Sequence, residues 1–456
     1  MNCSRLGDLS MNQPQQLIEH IADNLRGQTC FLVGFSGGLD SSVLLHALVQ
    51  LRASLLPSLT LRAIHIHHGL NPLAENWVEH CQAQCQGWNV PFEVVRVQLD
   101  TRHSGIEAAA RTARYQAFSS HLAVGETLLT AQHLDDQSET FLLALKRGSG
   151  PAGLSSMAAV MPFADSQILR PLLAISRKQL ERYAEDCQLE WIEDDSNQDD
   201  RFDRNFLRLK VLPVLSERWP HFSRSVARSA ELCAEQEQLL DELLSESLAQ
   251  LRQPDGSLAI NGLALMSEAK RGALLRRWLA EKGVAMPARE QLQRIWNEVA
   301  LARADAEPVL ELAPHQVRRF RQHLYVLPRL EAITTPVLPW SVPSRLALPA
   351  GLGSLELTDD KGQKIRVPAE NEPVSVRFGL QGNVRIVGRQ HSRRAKKLWQ
   401  ELGIPPWERE RIPLLYFGEQ LIAAVGVFIT PEGVAEEDGA CWCVQWRQLN
   451  NIINNE

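Results

Sequence analysis

The sequence predicts an α/β fold with a doubly wound parallel sheet, followed by a helical domain and a small β-rich α+β C-terminal domain. From residue 31 to about 190, short apolar runs alternate with helical patterns, which indicates parallel strands with helices on both faces. After Trp219-Pro220, long patterns rich in Ala, Leu, Glu and Arg indicate helices. Beyond the prolines of residues 328–349, alternating runs between glycine-rich turns indicate strands. The predicted domains are 1–219, 220–330 and 351–456, with 331–350 as a proline-rich linker.

Individual elements follow from apolar periodicity. The strands predicted in the first domain are Phe31–Phe35, Leu61–His68, Phe92–Leu99, Thr127–His133 and Ile168–Leu172. The helices predicted along the chain are Glu107–Leu122, Asp136–Lys146, Val226–Leu251, Arg271–Lys282 and Arg393–Leu402. The strands predicted in the last domain are Val374–Phe378, Val384–Val387 and Leu421–Phe428. Because ligands bind beyond the carboxyl ends of parallel strands, the polar motifs at those ends are expected to form one site.

Composition narrows the functional class. The chain has 456 residues, which is too many for one ordinary core. Without an apolar run suited to secretion or a membrane span, a cytoplasmic location and no membrane partner are expected. The 8 cysteines are scattered through apolar or helical sequence, which favours reduced core thiols. With a formal net charge of −6, any contact with RNA must come from local basic patches.

A phosphate-binding loop is predicted where the first strand meets the first helix of the sheet. Gly37 and Gly38 lack Cβ atoms, so the backbone can approach an anion while the free N–H groups of the helix point at it. Ser36 and Ser41 can add hydroxyl donors. The alternative is an ordinary tight turn with Asp40 as the N-cap. The residues predicted to bind ATP in this loop are Ser36, Gly37, Gly38, Leu39, Asp40 and Ser41.

The loop differs from a Walker A loop, which carries Lys followed by Ser or Thr after its last glycine to reach the β and γ phosphates. Asp40 and Ser41 stand there instead. This difference indicates a loop that holds pyrophosphate while the α-phosphate reacts, with Asp40 near Mg²⁺. The pattern SGGxDS is similar to that of the PP-loop, or N-type, ATP pyrophosphatases.

An acidic motif, TAQHLDDQSET at residues 130–140, ends one strand and opens a helix. Asp135, Asp136 and Glu139 share one helical face near its N-terminus, where they could bind Mg²⁺ or the ammonium groups of an amino substrate. The alternative is a capping box from Asp136 to Glu139, which leaves Asp135 and His133 unexplained. Together with Asp40, these three carboxylates are the predicted catalytic residues, and Asp40 and Asp136 are the predicted Mg²⁺ ligands.

Two further motifs lie at the same predicted edge. His67 ends the second strand and could contact the nucleotide, although a structural histidine is equally consistent with the pattern. Arg111 and Arg114 follow Glu107 at helical spacing, so they form either a phosphate-binding edge beside ATP or a salt-bridged solvated face. The spacing leaves both interpretations open.

Basic residues in two regions indicate contact with RNA. Lys146 and Arg147 open a glycine-rich loop, for which the alternative is a helix C-cap with cations favoured by the dipole. Arg204 and Arg208 share a helical face. A dense C-terminal cluster is followed by Trp399 and Trp407, whose rings could stack on unpaired bases, whereas the alternative is a solvated charged face. The C-terminal residues predicted to bind tRNA are Arg389, Arg393, Arg394, Lys396 and Lys397.

Taken in order, the motifs SGGLDSSVLLH, HIHHGL, GIEAAARTARY, TAQHLDDQSET, KRGSGPAGLSSM, ILRPLL and DDSNQDDRFDRNFLR resemble those of the tRNA(Ile)-lysidine synthetase family. The segment around RRAKKLWQELGIPPW resembles the C-terminal domain of that family. The resemblance implies an enzyme that uses ATP to adenylate the 2-oxo group of the wobble cytidine in a CAU-anticodon tRNA(Ile). Free lysine then displaces AMP and forms lysidine, which changes codon reading from AUG to AUA and amino-acid identity from Met to Ile.

Three other classes share the loop but not the remaining motifs. A tRNA thiolase would usually need a CxxC or paired redox cysteines, and Cys81 and Cys85 have the wrong spacing. A glutamine-dependent amidotransferase would need a glutaminase domain, and Cys3 precedes none. An RNA-binding regulator that senses ATP would not release AMP. The sequence leaves a homodimer open.

Overall fold

The computed structural model describes residues 13–448 apart from 70, 100–104, 304, 336, 360–361 and 437–438. The chain divides into two compact units, Met1–Glu242 and Leu243–Glu456. Within the described ranges, no helix combines the length and the apolar run that a membrane crossing requires.

The first unit alternates strands and helices as predicted. Its helices are α1 (Gln13–Asn24), α2 (Leu39–Ser54), α3 (Ala74–Gly87), α4 (Ile106–His121), α5 (Leu134–Lys146), α6 (Pro151–Leu154), α7 (Arg177–Asp186), α8 (Asp203–Phe206), α9 (Leu212–Arg218) and α10 (Phe222–Leu251), the last of which crosses the unit boundary. Its strands are β1 (Cys30–Gly34), β2 (Thr60–His67), β3 (Phe92–Arg96), β4 (Thr127–Leu129), β5 (Val160–Phe163) and β6 (Ser166–Leu169). A 3₁₀ turn spans Asp195–Gln198, and a π-helical turn, Leu207–Val211, joins α8 to α9.

The six strands form one sheet in the order β3-β2-β1-β4-β6-β5. All neighbours are parallel except β5, which pairs antiparallel with β6 at the edge. The strand order reverses between β1 and β4, and ligands bind outside the carboxyl ends of strands at such a switch point. The predicted fold class is confirmed. The edge strand β5 was not predicted, because it is short, half-exposed and interrupted by Pro162.

Strand β1 is buried on both faces, which explains its continuous apolar sequence. Phe31 and Val33 pack into a core with α1, α2, α3 and α7 on one side. Leu32 points to the other side, against Phe118 of α4. Burying each of these side chains stabilises the fold by about 1.5–3 kcal/mol. The central strand, and with it the loop that follows, is therefore held from both faces.

Strand β4 ends at Leu129, four residues before the predicted end at His133. The backbone still bonds to the neighbouring strand at Thr130, whose N–H donates to the Leu169 carbonyl at 3.2 Å. It then turns, and His133 becomes the N-cap of α5. The polar residues of the acidic motif therefore lie in a loop and a helix start beyond the sheet edge.

The second unit is mainly β-structure. Its helices are α11 (Ile260–Ala264), α12 (Glu268–Glu281), α13 (Arg289–Arg294), α14 (Ala395–Glu401) and α15 (Pro406–Arg409), with a π-helical turn at Ile295–Ala300 and a 3₁₀ turn at Pro431–Gly433. Its first strands are β7 (Leu258–Ala259), β8 (Val309–Leu312), β9 (His315–Phe320), β10 (His323–Pro328), β11 (Val337–Pro339), β12 (Leu346–Ala347), β13 (Ser354–Thr358) and β14 (Gln363–Arg366). The remaining strands are β15 (Val374–Arg377), β16 (Asn383–Val384), β17 (Arg393–Arg394), β18 (Leu414–Phe417), β19 (Gln420–Ala424), β20 (Phe428–Ile429) and β21 (Cys441–Arg447).

These strands form four sheets, in the orders β7-β10-β9-β8, β11-β15-β18-β19-β20, β12-β13-β21-β14 and β16-β17. The first of them lies inside the region predicted as helical, where β8 alternates exposed and buried residues at Val309–Leu312. Residues 331–350, predicted as a linker, contain β11 and β12, and Trp340 is buried in the C-terminal core. The domain boundaries themselves stay a prediction.

Candidate active site

The loop between β1 and α2 has the geometry of an anion cradle. Gly37 takes a φ of +80°, in the left-handed region that favours glycine. A Cβ added there would lie 2.7 Å from Sγ of Cys81 and 2.9 Å from Cδ1 of Ile192, so the loop is packed from behind. Gly38 is the N-cap of α2 and brings no side chain to cap it. The 16-residue helix therefore presents backbone donors and its positive dipole end to an anion.

Serine hydroxyls hold the loop in this shape. The Oγ atoms of Ser36 and Ser41 lie 3.1 Å apart, and Ser41 Oγ donates to the carbonyl of Gly38 at 3.1 Å. Ser42 is fully buried, and its hydroxyl has no partner among the described residues. The cradle is therefore formed before any phosphate binds.

His133 lies between the carboxylates at this edge of the sheet. Its Nδ1 accepts from the backbone N–H of Asp135 at 3.2 Å and of Asp136 at 3.4 Å. An accepting Nδ1 assigns the ring proton to Nε2. Nε2 lies 3.6 Å from Oδ2 of Asp40 and 3.5 Å from Oδ2 of Asp136. The imidazole thus connects the carboxylate of the phosphate loop with that of α5.

The capping of α5 corrects the sequence-based alternative. The capping box runs from His133 to Asp136, whose Oδ2 accepts from the His133 backbone N–H at 3.0 Å. A box from Asp136 to Glu139 is wrong, because the helix begins at Leu134, two residues before the predicted start. His133, which that alternative left unexplained, is the cap.

One oxygen of the Asp40 carboxylate faces the guanidinium of Arg177. This oxygen, Oδ1, is buried without a hydrogen-bond partner among the described residues and lies 3.7 Å from Nη1 of Arg177. Burial raises the pKa of Asp40, although the Arg177 guanidinium opposes the shift. No group of three or more His, Cys, Asp or Glu forms a closed metal site in the described part of the chain.

Two carboxylates completed by substrate phosphates are a usual arrangement for Mg²⁺. Asp40 and Asp136, the predicted ligands, both face Nε2 of His133. The oxygens of Asp136 accept from the His133 backbone N–H and from Arg208, but each keeps a second lone pair for a cation.

Asp135 contacts the start of another helix. Its Oδ2 accepts from the backbone N–H of Arg177, the first residue of α7, at 2.7 Å, and its Oδ1 lies 3.4 Å from Oγ of Ser223. A carboxylate at a helix N-terminus stabilises that helix. Asp135 therefore helps to place Arg177, whose guanidinium faces Asp40.

Glu139 is fully buried under arginines. Nε and Nη2 of Arg208 donate to its two oxygens at 2.7 and 3.0 Å, and Nε of Arg204 lies 3.6 Å away. Burial raises the pKa of Glu139, and the hydrogen bonds from Arg208 act in the opposite direction. Arg208 also reaches Oδ1 of Asp136 at 3.2 Å. Two arginines predicted to contact tRNA thus lie in the carboxylate cluster, and lysine could reach Glu139 only if the pair with Arg208 opened.

We expect Glu139→Gln to lower the melting temperature by about 5 °C. Burial alone makes the ionised carboxylate costly, as at Asp40, but Glu139 also accepts two hydrogen bonds from the buried guanidinium of Arg208, which the amide would leave without its balancing charge. Hydrogen bonds to charged groups contribute about 1.5–3 kcal/mol, and breaking a buried ion pair on one side is destabilising. Differential scanning calorimetry measures the shift. Glu235→Gln, an exposed position on α10, is the control and should leave the melting temperature unchanged. An unchanged melting temperature combined with a raised KM for lysine would instead assign Glu139 to substrate binding.

The histidines that end β2 are half-buried at the same edge. Nε2 of His67 lies 3.4 Å from Oε1 of Glu75, so this predicted nucleotide contact has an internal partner. Burial, with a smaller effect of Arg114, lowers the pKa of His68 to about 4. His68 is therefore neutral at physiological pH.

The two predicted phosphate-binding arginines of α4 have different surroundings. Arg111 is exposed, and its guanidinium lies 5.0 Å from the ring centroid of Tyr115. Arg114 is exposed as well, but partial burial of its guanidinium lowers its pKa, with smaller effects from Arg111 and Arg204. Arg114 thus lies close enough to Arg204, which lies 3.6 Å from Glu139, to be affected by its charge.

The remaining basic residues predicted to bind tRNA are mostly exposed. Nζ of Lys146 pairs with Oδ2 of Asp203 at 2.7 Å on the surface, and Arg147 is the exposed C-cap of α5. In the second unit, Arg389 pairs with Glu401, and Nε of Arg393 lies 3.8 Å from the same carboxylate. The exposed cations at the start of α14 are Arg394, Lys396 and Lys397.

The prediction that Trp399 and Trp407 stack on RNA bases is wrong. Trp399 is 2% exposed and packs against Phe428, with ring centroids 5.5 Å apart. Trp407 is 9% exposed and packs against Tyr325 at 5.1 Å. Both rings are core residues, and in α14 the apolar face with Leu398 and Trp399 is buried while Lys396 and Lys397 are exposed.

Arg177 is the residue at this site that the sequence did not single out. It begins α7, about forty residues after the acidic motif, so no local pattern connects the two. The sequence does contain one signal for this helix start, the capping box of Ser176 with Gln179. That box makes Arg177 the first residue of the helix that follows strand β6 of the same sheet.

Comparisons with known proteins agree with this architecture. Residues 10–215 match the PP-loop domain, residues 258–325 the TilS substrate binding domain and residues 374–446 the TilS substrate C-terminal domain. A tRNA(Ile)-lysidine synthase from Yersinia pseudotuberculosis is 63% identical over 452 residues, which cover 96% of this chain and 98% of that protein. The chain belongs to the tRNA(Ile)-lysidine synthase family. The predicted family resemblance is confirmed.

Other members of the family are similar over comparable lengths. The tRNA(Ile)-lysidine synthase of Edwardsiella ictaluri is 62% identical over 427 residues, with 94% of this chain and 97% of that protein covered. The enzyme of Pectobacterium atrosepticum is 60% identical over 434 residues, with 95% and 98% covered. These members of the family therefore match 94–96% of this chain, including its PP-loop domain.

Proposed function

We propose that this chain is an ATP-dependent ligase that joins lysine to the wobble cytidine of CAU-anticodon tRNA(Ile), forming lysidine. Family membership supports this activity. The observation that carries the proposal is the meeting of the open phosphate cradle with Asp40, His133 and Asp136 at the β1/β4 switch point. Lysidine formation changes codon reading from AUG to AUA and amino-acid identity from Met to Ile.

In the first half-reaction, the 2-oxo oxygen of cytidine attacks the α-phosphorus of ATP, and the bond between that phosphorus and the bridging oxygen breaks. Pyrophosphate leaves with that oxygen. Ser36, Ser41 and the free N–H groups of α2 are placed to hold it, because donors fixed in advance stabilise charge that develops during the reaction. Asp40 and Asp136 would hold Mg²⁺, which supplies positive charge to the phosphates when it is bound.

In the second half-reaction, the ε-amine of lysine attacks C2 of the cytidine, the C2–O bond breaks and AMP leaves with that oxygen. The amine passes the proton that it loses to a carboxylate of the site. Asp135 is 29% exposed, and besides its bond to α7 it lies 3.8 Å from Nδ1 of His133 and 3.4 Å from Oγ of Ser223. We assign Asp135 to the lysine ammonium group, because the side chain of Glu139 is 0% exposed. Lys146, Arg147 and the cations of α14 would neutralise tRNA phosphates.

Pyrophosphate release in the absence of lysine tests the order of the two steps. With ATP, Mg²⁺ and tRNA(Ile), we expect one pyrophosphate per active site and an AMP group covalently attached to the RNA. Omitting tRNA should abolish the release. If lysine rather than tRNA is required for pyrophosphate release, lysine is adenylated first and the proposed intermediate is wrong. The cytoplasmic location and a homodimer stay predictions.

A further inference from the structure

We propose that an apolar groove beside the carboxylate cluster binds unpaired bases of the anticodon loop next to the wobble cytidine. The proposal rests on the proposed function, since it takes the substrate to be RNA. The groove lies between α5 and the helical segment 203–211, which consists of α8 and the π-helical turn after it. Neither the phosphate cradle nor the carboxylates use it.

The groove has the size and lining of a site for a small flat group. Its volume is about 420 Å³, within the range of small-ligand sites. Leu142 and Leu145 form one wall, and Phe206 and Val211 form the other. The side chains of Leu145 and Phe206 are 55% and 47% exposed, although both are large and apolar. Single exposed apolar residues are ordinary, but several that line one groove indicate a binding surface.

The groove begins where the carboxylate cluster ends. Glu139 of α5 and Arg208 of the opposite segment are joined at 2.7 Å, and each lies within three residues of a residue that lines the groove. Leu142 to Leu145 follow Glu139 by three to six residues on α5, which corresponds to about 5–9 Å along the helix axis. Phe206 precedes Arg208 by two residues. A base adjacent to the reacting cytidine would therefore reach the groove.

The charges around the groove favour RNA as the occupant. Lys146 and Asp203 both line it and pair with each other at 2.7 Å, whereas Arg147 follows on the surface and Lys210 is exposed on the opposite segment, so the charge around the groove is positive overall. Unpaired bases combine an apolar face, which stacks on an aromatic ring, with a phosphate, which pairs with a cation. A stable protein partner would need an interface of about 1,000 Å² or more, whereas the short α8 offers one turn of helix. One or two bases fit this groove better than a protein does.

Fluorescence of a modified anticodon stem-loop tests the proposal. The probe is the stem-loop of tRNA(Ile) with 2-aminopurine in place of the anticodon adenine. Binding to the unaltered enzyme should quench the fluorescence, because the base stacks on Phe206. Phe206→Leu keeps an apolar wall but removes the ring. We expect this variant to lose the quenching and to raise the KM for tRNA by about tenfold, at an unchanged KM for ATP.

Two variants serve as controls. Phe206→Trp keeps an aromatic face and should keep both the quenching and the KM, which separates stacking from folding. Val214→Ala changes a 63% exposed apolar residue of α9 outside the groove and should have no effect.

The possible failures of the two proposals can be told apart. If the unaltered enzyme releases no AMP with ATP, lysine and tRNA, the proposed function fails. If it does, but Phe206→Leu keeps the quenching and the KM, only the groove proposal is overturned. Loss of a dimer in Phe206→Leu, measured by sedimentation, with quenching retained, would assign the groove to a contact between two copies and would also overturn it.

Discussion

Gly37→Ala is expected to lower kcat/KM for ATP by at least about 100-fold while the chain still folds. At a φ of +80°, an L side chain costs about 1–2 kcal/mol. The new Cβ would also lie 2.7 Å from Sγ of Cys81 and 2.9 Å from Cδ1 of Ile192, so the loop must move outward. That movement displaces the N–H groups of α2 from the phosphates. ATP-dependent pyrophosphate release and thermal melting are the measurements.

Gly125→Ala is the matched control for this prediction. Gly125 has a φ of +81°, and a Cβ there would meet nothing within 4 Å. Both variants therefore lose stability because an L side chain is strained at a positive φ, whereas only the Cβ of Gly37→Ala would clash with Cys81 and Ile192. We expect comparable small losses in melting temperature and a loss of activity in Gly37→Ala alone. Near-normal pyrophosphate release by Gly37→Ala would show that the loop does not hold the phosphates.

Asp40→Asn is expected to reduce the rate of tRNA adenylation by at least about 100-fold. Asp40 contributes a buried oxygen that has no hydrogen-bond partner among the described residues and lies 3.7 Å from Nη1 of Arg177, and its other oxygen lies 3.6 Å from Nε2 of His133. The amide is nearly isosteric but has no negative charge for a cation. Quenched-flow measurement of pyrophosphate release at saturating ATP and tRNA detects the loss. Asp165→Asn, an exposed position between β5 and β6, should keep the full rate.

The same substitution is expected to leave stability unchanged or to raise it. Burial raises the pKa of Asp40 in the folded chain, so its ionised form costs stability at pH values above that pKa. The cost disappears as the pH falls through the folded-state pKa. Asp40→Asn should therefore melt no lower than the unaltered chain at pH 8, and the difference should shrink in acid. A clearly lower melting temperature at pH 8 would mean that Asp40 has a structural role instead.

The catalytic edge was predictable because its signals are local. A buried strand, a glycine pair and a helix start are consecutive in the sequence around Gly37, and the acidic motif also joins a strand to a helix. Parallel pairing of β1 with β4 then brings the two together, as the alternating pattern predicts. The sequence alone therefore indicates Asp40 and Asp136 as candidate site residues.

The other contacts at the site depend on chain segments that are distant in sequence. Arg208 pairs with Glu139 across 69 positions, and the first backbone N–H of α7 donates to Asp135 across 42, so no spacing rule connects them. Strands β8 to β10 were not predicted, because helical patterns dominate the sequence of residues 220–330 in which they lie. Trp399 looked available for stacking because a helix of seven residues shows too little periodicity to assign its buried face.

We propose above all that one site activates the tRNA with ATP and then transfers lysine to it. The most direct measurement isolates the RNA after reaction with ATP alone, returns it to the enzyme with ¹⁴C-lysine and no ATP, and counts AMP and label. We expect one AMP to be released for each lysine incorporated at the wobble cytidine. Absence of label in the RNA, or a requirement for fresh ATP in the second step, would contradict it.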